Sequence, residues 1–185
     1  NMTKYLTQWT MDDVESVGLL KIDFLGIRYL TMVSSIVEEV KKENPTFDIT
    51  KINYQDPKVY ELFAKGKTEG IFQFESSGMK EKLNLLKPTE FNDIVAMNAL
   101  YRPGPMAQIE VYVRRKNKEE QVVYPHPHLE KILKDTYGVI VYQEQIMLIA
   151  VNFAHMSLNE ADNMRRAVSK KKKEDLEYYG RIFVE

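Results

Sequence analysis

The 185-residue sequence contains no cysteine, which excludes disulfides and thiolate metal sites and fits a reducing compartment. No stretch approaches the ~20 apolar residues of a membrane span, and the first residues lack the pattern of a secretory signal. The chain also lacks a charge surplus: 26 basic against 27 acidic side chains leave a net charge of −1. No global positive field therefore marks a nucleic-acid partner, and any such function must rest on local clusters. Gly66, Gly70 and Gly78 form no phosphate-binding fingerprint, and neither a Walker A nor a Rossmann motif occurs. What is present is globular in composition, with 44% hydrophobic and 29% charged residues, enough for one domain or slightly more. The ends at Asn1 and Glu185 read as those of a piece of a longer protein.

The chemistry centres on Gly18-Leu19-Leu20-Lys21-Ile22-Asp23-Phe24-Leu25-Gly26. An apolar run closed by glycine at each end reads as a buried strand. Alternation then puts Leu20, Ile22 and Phe24 on a core face, with Lys21 and Asp23 side by side on the other. Charges on so apolar a stretch have two readings, because desolvating them is costly. One is an ordinary ion pair at a sheet surface. The other is a site, with Asp23 for a divalent metal and Lys21 for an anionic substrate, the raw material of metal-assisted phosphoryl or nucleotidyl transfer.

The rest reads mainly as helices. Thr10 caps a short helix that ends at Gly18, and apolar residues at Leu30, Val33, Ile36, Val37 and Val40 predict an amphipathic helix to about Glu43. Asp56-Pro57 opens a helix closed at Gly66, Ser76 to Leu86 forms another, and Thr89 caps one running to about Leu100. Tyr101-Arg102-Pro103-Gly104-Pro105 breaks the chain before a helix carrying Arg114, Arg115 and Lys116. Short helices follow over 129–135 and from Gln143 to about Phe153. Ser157-Leu158-Asn159-Glu160 is a capping box opening a helix through Met164, and the charged tail from Lys170 is helical. Gly70 to Phe74 is a short turn or strand, and Val139 to Tyr142 a second short strand. The expected fold class is mostly α (α+β), with short strands and one strand near the N-terminus carrying the chemistry.

Six cations fall within Arg165-Arg166-Ala167-Val168-Ser169-Lys170-Lys171-Lys172-Lys173, with Glu160 and Asp162 before them and Glu174, Asp175 and Glu177 after. One reading is a solvated helix face with internal ion pairs. The other is a phosphate grip, since arginine forks suit bidentate contact and Arg166 and Lys170 share a helix face. Arg102, fixed in its turn beside Tyr101, suits stacking or phosphate contact, or is a buried structural arginine. Arg114, Arg115, Lys116 and Lys118 read as a plain basic surface. His126 and His128 lie in a Pro-His-Pro-His linker, and together with His155 they fit no zinc spacing.

Five stretches in order go further: 18–26, Gly-Ile-Phe-Gln-Phe-Glu-Ser at 70–76, Ala-Leu-Tyr-Arg-Pro-Gly-Pro-Met at 99–106, Tyr-Gly-Val-Ile-Val-Tyr-Gln-Glu-Gln at 137–145, and Glu-Ala-Asp-Asn-Met-Arg-Arg-Ala at 160–167 followed by lysines. From about Leu6 to Glu185 the chain closely resembles the bacterial replicative C-family polymerases, the DnaE-type alpha subunit of DNA polymerase III. The resemblance implies a DNA-directed DNA polymerase joining a dNTP to a primer 3′-hydroxyl with two Mg²⁺ ions. Residues 1–26 match the C-terminal piece of its palm, with Asp23 the third of three metal-holding aspartates and Lys21 a lysine that contacts the incoming triphosphate. Residues 27–185 match the first part of the fingers. There Arg165 and Arg166 match arginines that grip the triphosphate, Lys170 is a helper, and Arg102 lines the active-site side. Implied partners are primer-template DNA, dNTP, and a sliding clamp and other replisome subunits bound through regions outside this sequence, in the bacterial cytoplasm at the nucleoid, with no membrane.

The family's upstream Asp-x-Asp pair is missing, for no Asp-x-Asp occurs here. One carboxylate cannot hold two Mg²⁺ ions, so the chain by itself is expected to be inactive. The competing class is a non-catalytic nucleic-acid-binding or replisome assembly module, in which the basic cluster grips phosphate backbone and Asp23 is structural.

Overall fold

A computed structural model of the chain describes residues 5–22, 24–170 and 173–184, the side chain of Lys170 excepted. It divides between Ile52 and Asn53 into two units. All regular structure among the described residues is helical.

In the first unit, helix α1 (Met11–Ser16) starts at Thr10, whose hydroxyl oxygen accepts the Asp13 backbone N–H, and Asp12 and Asp13 lie in its first turn, where acids favour the helix dipole. Helix α2 (Arg28–Glu43) has the expected amphipathic spacing and ends at Asn44, before Pro45. None of its residues is buried within this unit. Between the two helices the expected strand does not form. Residues 19–22 and 24–27 have no ladder, and Leu20, Ile22 and Phe24 are 84%, 63% and 93% exposed. A strand exists only by pairing with another, and no second strand occurs among the described residues. The α+β expectation is therefore corrected to all-α. Lys21 is exposed, and Asp23 lies outside the described residues.

The second unit is built from helices with local signals at their ends. Helix α3 (Pro57–Ala64) is capped by the Asp56 carboxylate, with Pro57 in its first turn. The chain then turns at Gly66, whose φ of +62° lies in the left-handed region that glycine adopts without strain. The 70–74 stretch is a turn, pinned by the Thr68 hydroxyl donating to the Phe74 carbonyl at 2.5 Å. Helix α4 (Ser77–Leu86) is capped by Ser76. Helix α5 (Phe91–Leu100) is capped by Glu90, one residue after the expected Thr89, because Asp93 reaches back to bond the backbone N–H of both Thr89 and Glu90.

Helix α6 (Ile109–Lys116) follows the Pro105–Gln108 turn. Met79, Leu83, Leu86, Ala96, Met97, Leu100, Ile109 and Tyr112 from α4, α5 and α6 make the main core, joined by Tyr60 and Phe63 of α3. Each buried Leu or Met contributes about 1.5–3 kcal/mol by leaving water.

After α7 (Glu130–Leu133), Val139 and Val141 enter that core, but Val139 to Tyr142 is not a strand. The buried Gln145 side chain takes the place of a ladder. Its oxygen accepts the N–H groups of Val141 at 2.8 Å and Tyr142 at 2.9 Å, and its amide donates to the Thr136 hydroxyl at 2.8 Å. Helix α8 (Gln143–Phe153) begins on this network. Helix α9 (Leu158–Lys170) opens with the expected Ser157–Glu160 box and runs past Met164. Helix α10 (Lys173–Val184) follows. Ala150 of α8 and Ala161 of α9 are buried with Met156, and Met164, Tyr179, Ile182 and Phe183 pack around them. No helix is long and apolar enough to cross a membrane, among the residues described.

Candidate functional site

The best-defined cationic arrangement is at the α8–α9 contact. Arg165 and Arg166 are neighbours on α9, and one carboxylate, Asp162, lies a turn before them. Arg165 Nε donates to Asp162 Oδ1 at 2.9 Å, and its Nη2 stands 2.8 Å from the same oxygen. Arg165 Nη1 crosses to α8 and donates to Gln143 Oε1 at 2.7 Å. Arg166 Nη2 lies 2.8 Å from Asp162 Oδ2. The two arginines differ in access: the Arg165 side chain is 22% exposed and that of Arg166 63%. Ser169 donates its hydroxyl to the Arg165 carbonyl, so it serves the helix and not the cation cluster. Lys170 closes α9 one turn after Arg166; its side chain, with Lys171 and Lys172, lies outside the described residues. Lys173 pairs loosely with Glu177 at 3.9 Å.

Hydrogen bonding from Arg165 is the main cause holding the Asp162 carboxyl below its usual range, with the charges of both arginines adding to it. The folded value is depressed, so the clamp is complete above the ordinary carboxylate range and is lost as pH falls through the lowered value. Arg165→Ala should move the Asp162 midpoint upward, as read by carboxyl-carbon NMR. An unmoved midpoint would show that another group holds it.

Arg102 is exposed, which removes its reading as a buried structural arginine. It lines a cleft of about 670 Å³ with Gln73, Asn98, Tyr101 and Tyr142. Asn98 donates to the Gln73 side-chain oxygen at 3.0 Å, giving this wall a fixed pair of amides. Gly78 leaves room for the Tyr101 hydroxyl, with which a Cβ there would clash. Tyr142, on the cleft, precedes Gln143, on Arg165. Arg102 therefore shares a cleft with Tyr142, and Arg165 bonds the residue that follows Tyr142. Lys21 belongs to the first unit.

The supposed basic surface of α6 is something else. Arg114 and Arg115 both hold Glu120, at 3.0 and 2.9 Å, and Arg115 also donates to the Tyr137 carbonyl. Lys116 is buried against Asp93, with 7% and 1% of their side chains exposed. Its ammonium also donates to the Leu86 and Lys87 carbonyls at the end of α4. Burial first, and then the Asp93 charge, push nearby Tyr137 up to about 12. Sequence reasoning missed this pair and the Thr136–Gln145 network. The one available signal was a carboxylate, Asp93, inside the apolar helix 91–100. His126 stacks edge-on against His128 and Phe153, and among the described residues no group of three or more His, Asp or Glu could hold a metal ion.

A family model described as the bacterial DNA polymerase III alpha subunit finger domain matches residues 29–185. The sequence is 56% identical over 182 residues to DNA polymerase III subunit alpha of Bacillus subtilis (strain 168), covering 98% of this chain and 16% of that protein. It is 54% identical over 184 residues to DNA polymerase III subunit alpha of Staphylococcus aureus (strain COL), covering 99% of this chain and 17% of that protein. The chain thus spans about a sixth of the length of the curated relatives it matches.

Proposed function

The chain belongs to the family of bacterial DNA polymerase III alpha subunit finger domains, and on that premise we propose that it is the nucleotide-gripping part of a replicative DNA-directed DNA polymerase. Residues 1–26 are the end of the palm and 27–185 the first part of the fingers. Arg165 and Arg166 neutralise the triphosphate of the incoming dNTP while the primer 3′-hydroxyl attacks. Lys21 and Lys170 assist them, and Arg102 lines the path. This is electrostatic stabilisation and positioning, and base pairing supplies the sequence. Primer-template DNA and dNTP are the substrates. Clamp and other replisome subunits bind elsewhere on the longer protein, in the bacterial cytoplasm.

Such a polymerase uses two Mg²⁺ ions; among the described residues no three donors cluster around a metal site, and Asp23 lies outside them. Asp23 is the one ligand this chain supplies, and two further aspartates come from outside it. When bound, the ions supply charge neutralisation and activation of the attacking oxygen.

The observation that carries the reading is the Arg165–Asp162–Arg166 arrangement, with one fork set against α8 and the other reaching solvent. A solvated helix face needs no cross-helix bond to hold a guanidinium. The test is steady-state incorporation by the full-length polymerase carrying Arg166→Ala. The KM for dNTP should rise about tenfold to a hundredfold, as for loss of a charge-assisted contact, while primer-template Kd stays within about twofold. The binding-module alternative predicts the reverse: unchanged dNTP dependence, weaker DNA binding and a salt slope smaller by about one.

A further inference from the structure

Resting on the nucleotide-grip reading, we infer that Asp162 and Gln143 are positioning residues that set Arg165 for a triphosphate before the nucleotide arrives. A guanidinium carries five N–H donors in a fixed fork. In Arg165, the Nε and Nη2 groups face Asp162 and one Nη1 hydrogen goes to Gln143. That leaves two N–H groups, one on each Nη, for a ligand. The free rotation of a long side chain, which a phosphate contact would otherwise have to freeze, is already lost.

The geometry separates this from incidental ion pairing. A helix-surface carboxylate usually meets one cation a turn away. Asp162 instead spreads its two oxygens over consecutive arginines, Oδ1 to Arg165 and Oδ2 to Arg166. The third tether comes from a different helix. Gln143 is the first residue of α8, and the buried Gln145 fixes that helix start through Val141 and Tyr142. The Arg165 fork is thereby referenced to the core of the unit and not only to its own helix. Arg166 has a single tether and greater exposure, so it can swing onto a ligand while Arg165 marks the place.

The carboxylate also carries a charge cost, because it offsets one of the two positive charges. A simple counter-ion and a positioning residue therefore predict opposite signs. If Asp162 only neutralises, its removal strengthens triphosphate binding. If it positions, removal weakens binding despite the gain in net positive charge.

The experiment uses full-length polymerase on primer-template, with Asp162→Ala, Asp162→Glu, Gln143→Ala, Arg165→Ala and the double variant Asp162→Ala/Arg165→Ala. The readouts are KM and kcat for dNTP, with primer-template Kd measured alongside. Asp162→Ala should raise the dNTP KM about tenfold with kcat changed less than about threefold, and Gln143→Ala should do the same to a smaller degree. Asp162→Glu should recover most of the loss. In the Arg165→Ala background, Asp162→Ala should add less than about twofold, because the group it positions is gone. An unchanged or lowered KM in Asp162→Ala, or multiplicative losses in the double variant, overturns the inference. If Arg165→Ala itself leaves KM unchanged, the nucleotide-grip reading fails first, and the two failures are distinguished by that variant.

Discussion

Lys116→Ala should cost the second unit about 3–5 kcal/mol, the usual loss when one partner of a buried pair is removed. The Lys116 ammonium stands 3.3 Å from Asp93 Oδ2, and both side chains are buried. It also donates to the Leu86 and Lys87 carbonyls, while Asn117 donates to that of Leu85. The Leu85 and Leu86 carbonyls are the last of α4, and Lys87 is its C-cap, so the helix itself leaves them without donors. One substitution thus strips a helix end and leaves a carboxylate buried without its cation. Asp93 cannot escape to water, because Oδ2 is held by Thr89 and Glu90 at the start of α5. Lys116→Met tests the electrostatic share, since it keeps most of the volume and should recover little. Lys65→Ala provides the contrast. It breaks an exposed pair with Glu61, whose side chains are 57% and 62% exposed, and should cost under about 1 kcal/mol. Urea unfolding at neutral pH reads all three variants. A loss below about 1 kcal/mol for Lys116→Ala would mean that the pair contributes little.

Helix positions were legible where the signal was local. Thr10, Asp56 and Ser157 each cap the helix expected of them, because a cap bonds a backbone group two or three residues on; Ser76, expected as the first residue of its helix, is the cap before it. The strands were not legible, because pairing depends on a partner that a single stretch cannot report. Val139 to Val141 supplies an apolar run with two buried valines, yet Val139 bonds Thr136 through both its N–H and its carbonyl, and the Val141 N–H goes to the Gln145 side chain. Lys116 was hidden for a related reason. Three cations in a row resemble a surface, and the partner that buries one of them lies on another helix.

The arginines of α9 were legible as a pair. Asp162 was legible only as an acid nearby; its fork over both guanidinium groups lies within α9, at helical spacing, whereas the Gln143 tether required the packing of α8 on α9. The order of the five motifs carried the family, which matches 29–185. It did so without any statement of the geometry on which the proposed function now rests.

Asp23→Asn, introduced into the full-length polymerase, should reduce primer extension by at least about a thousandfold. The change removes a formal negative charge while keeping nearly the same shape, so it separates charge from packing. A carboxylate that serves as a metal ligand loses most of its hold on a hard cation when it becomes an amide, and loss of one preorganised electrostatic partner alone costs about 10²–10³ in rate. A structural Lys21–Asp23 pair at the surface would cost almost nothing in rate, since exposed pairs contribute about 0–1 kcal/mol. Primer-template binding measured in parallel guards against a folding defect. The decisive measurement is therefore single-turnover primer extension by this variant at saturating dNTP. Collapse of extension with template binding intact is the predicted result. Extension near the wild-type rate would contradict the account, remove Asp23 from the active site and leave the chain as a nucleic-acid-binding module.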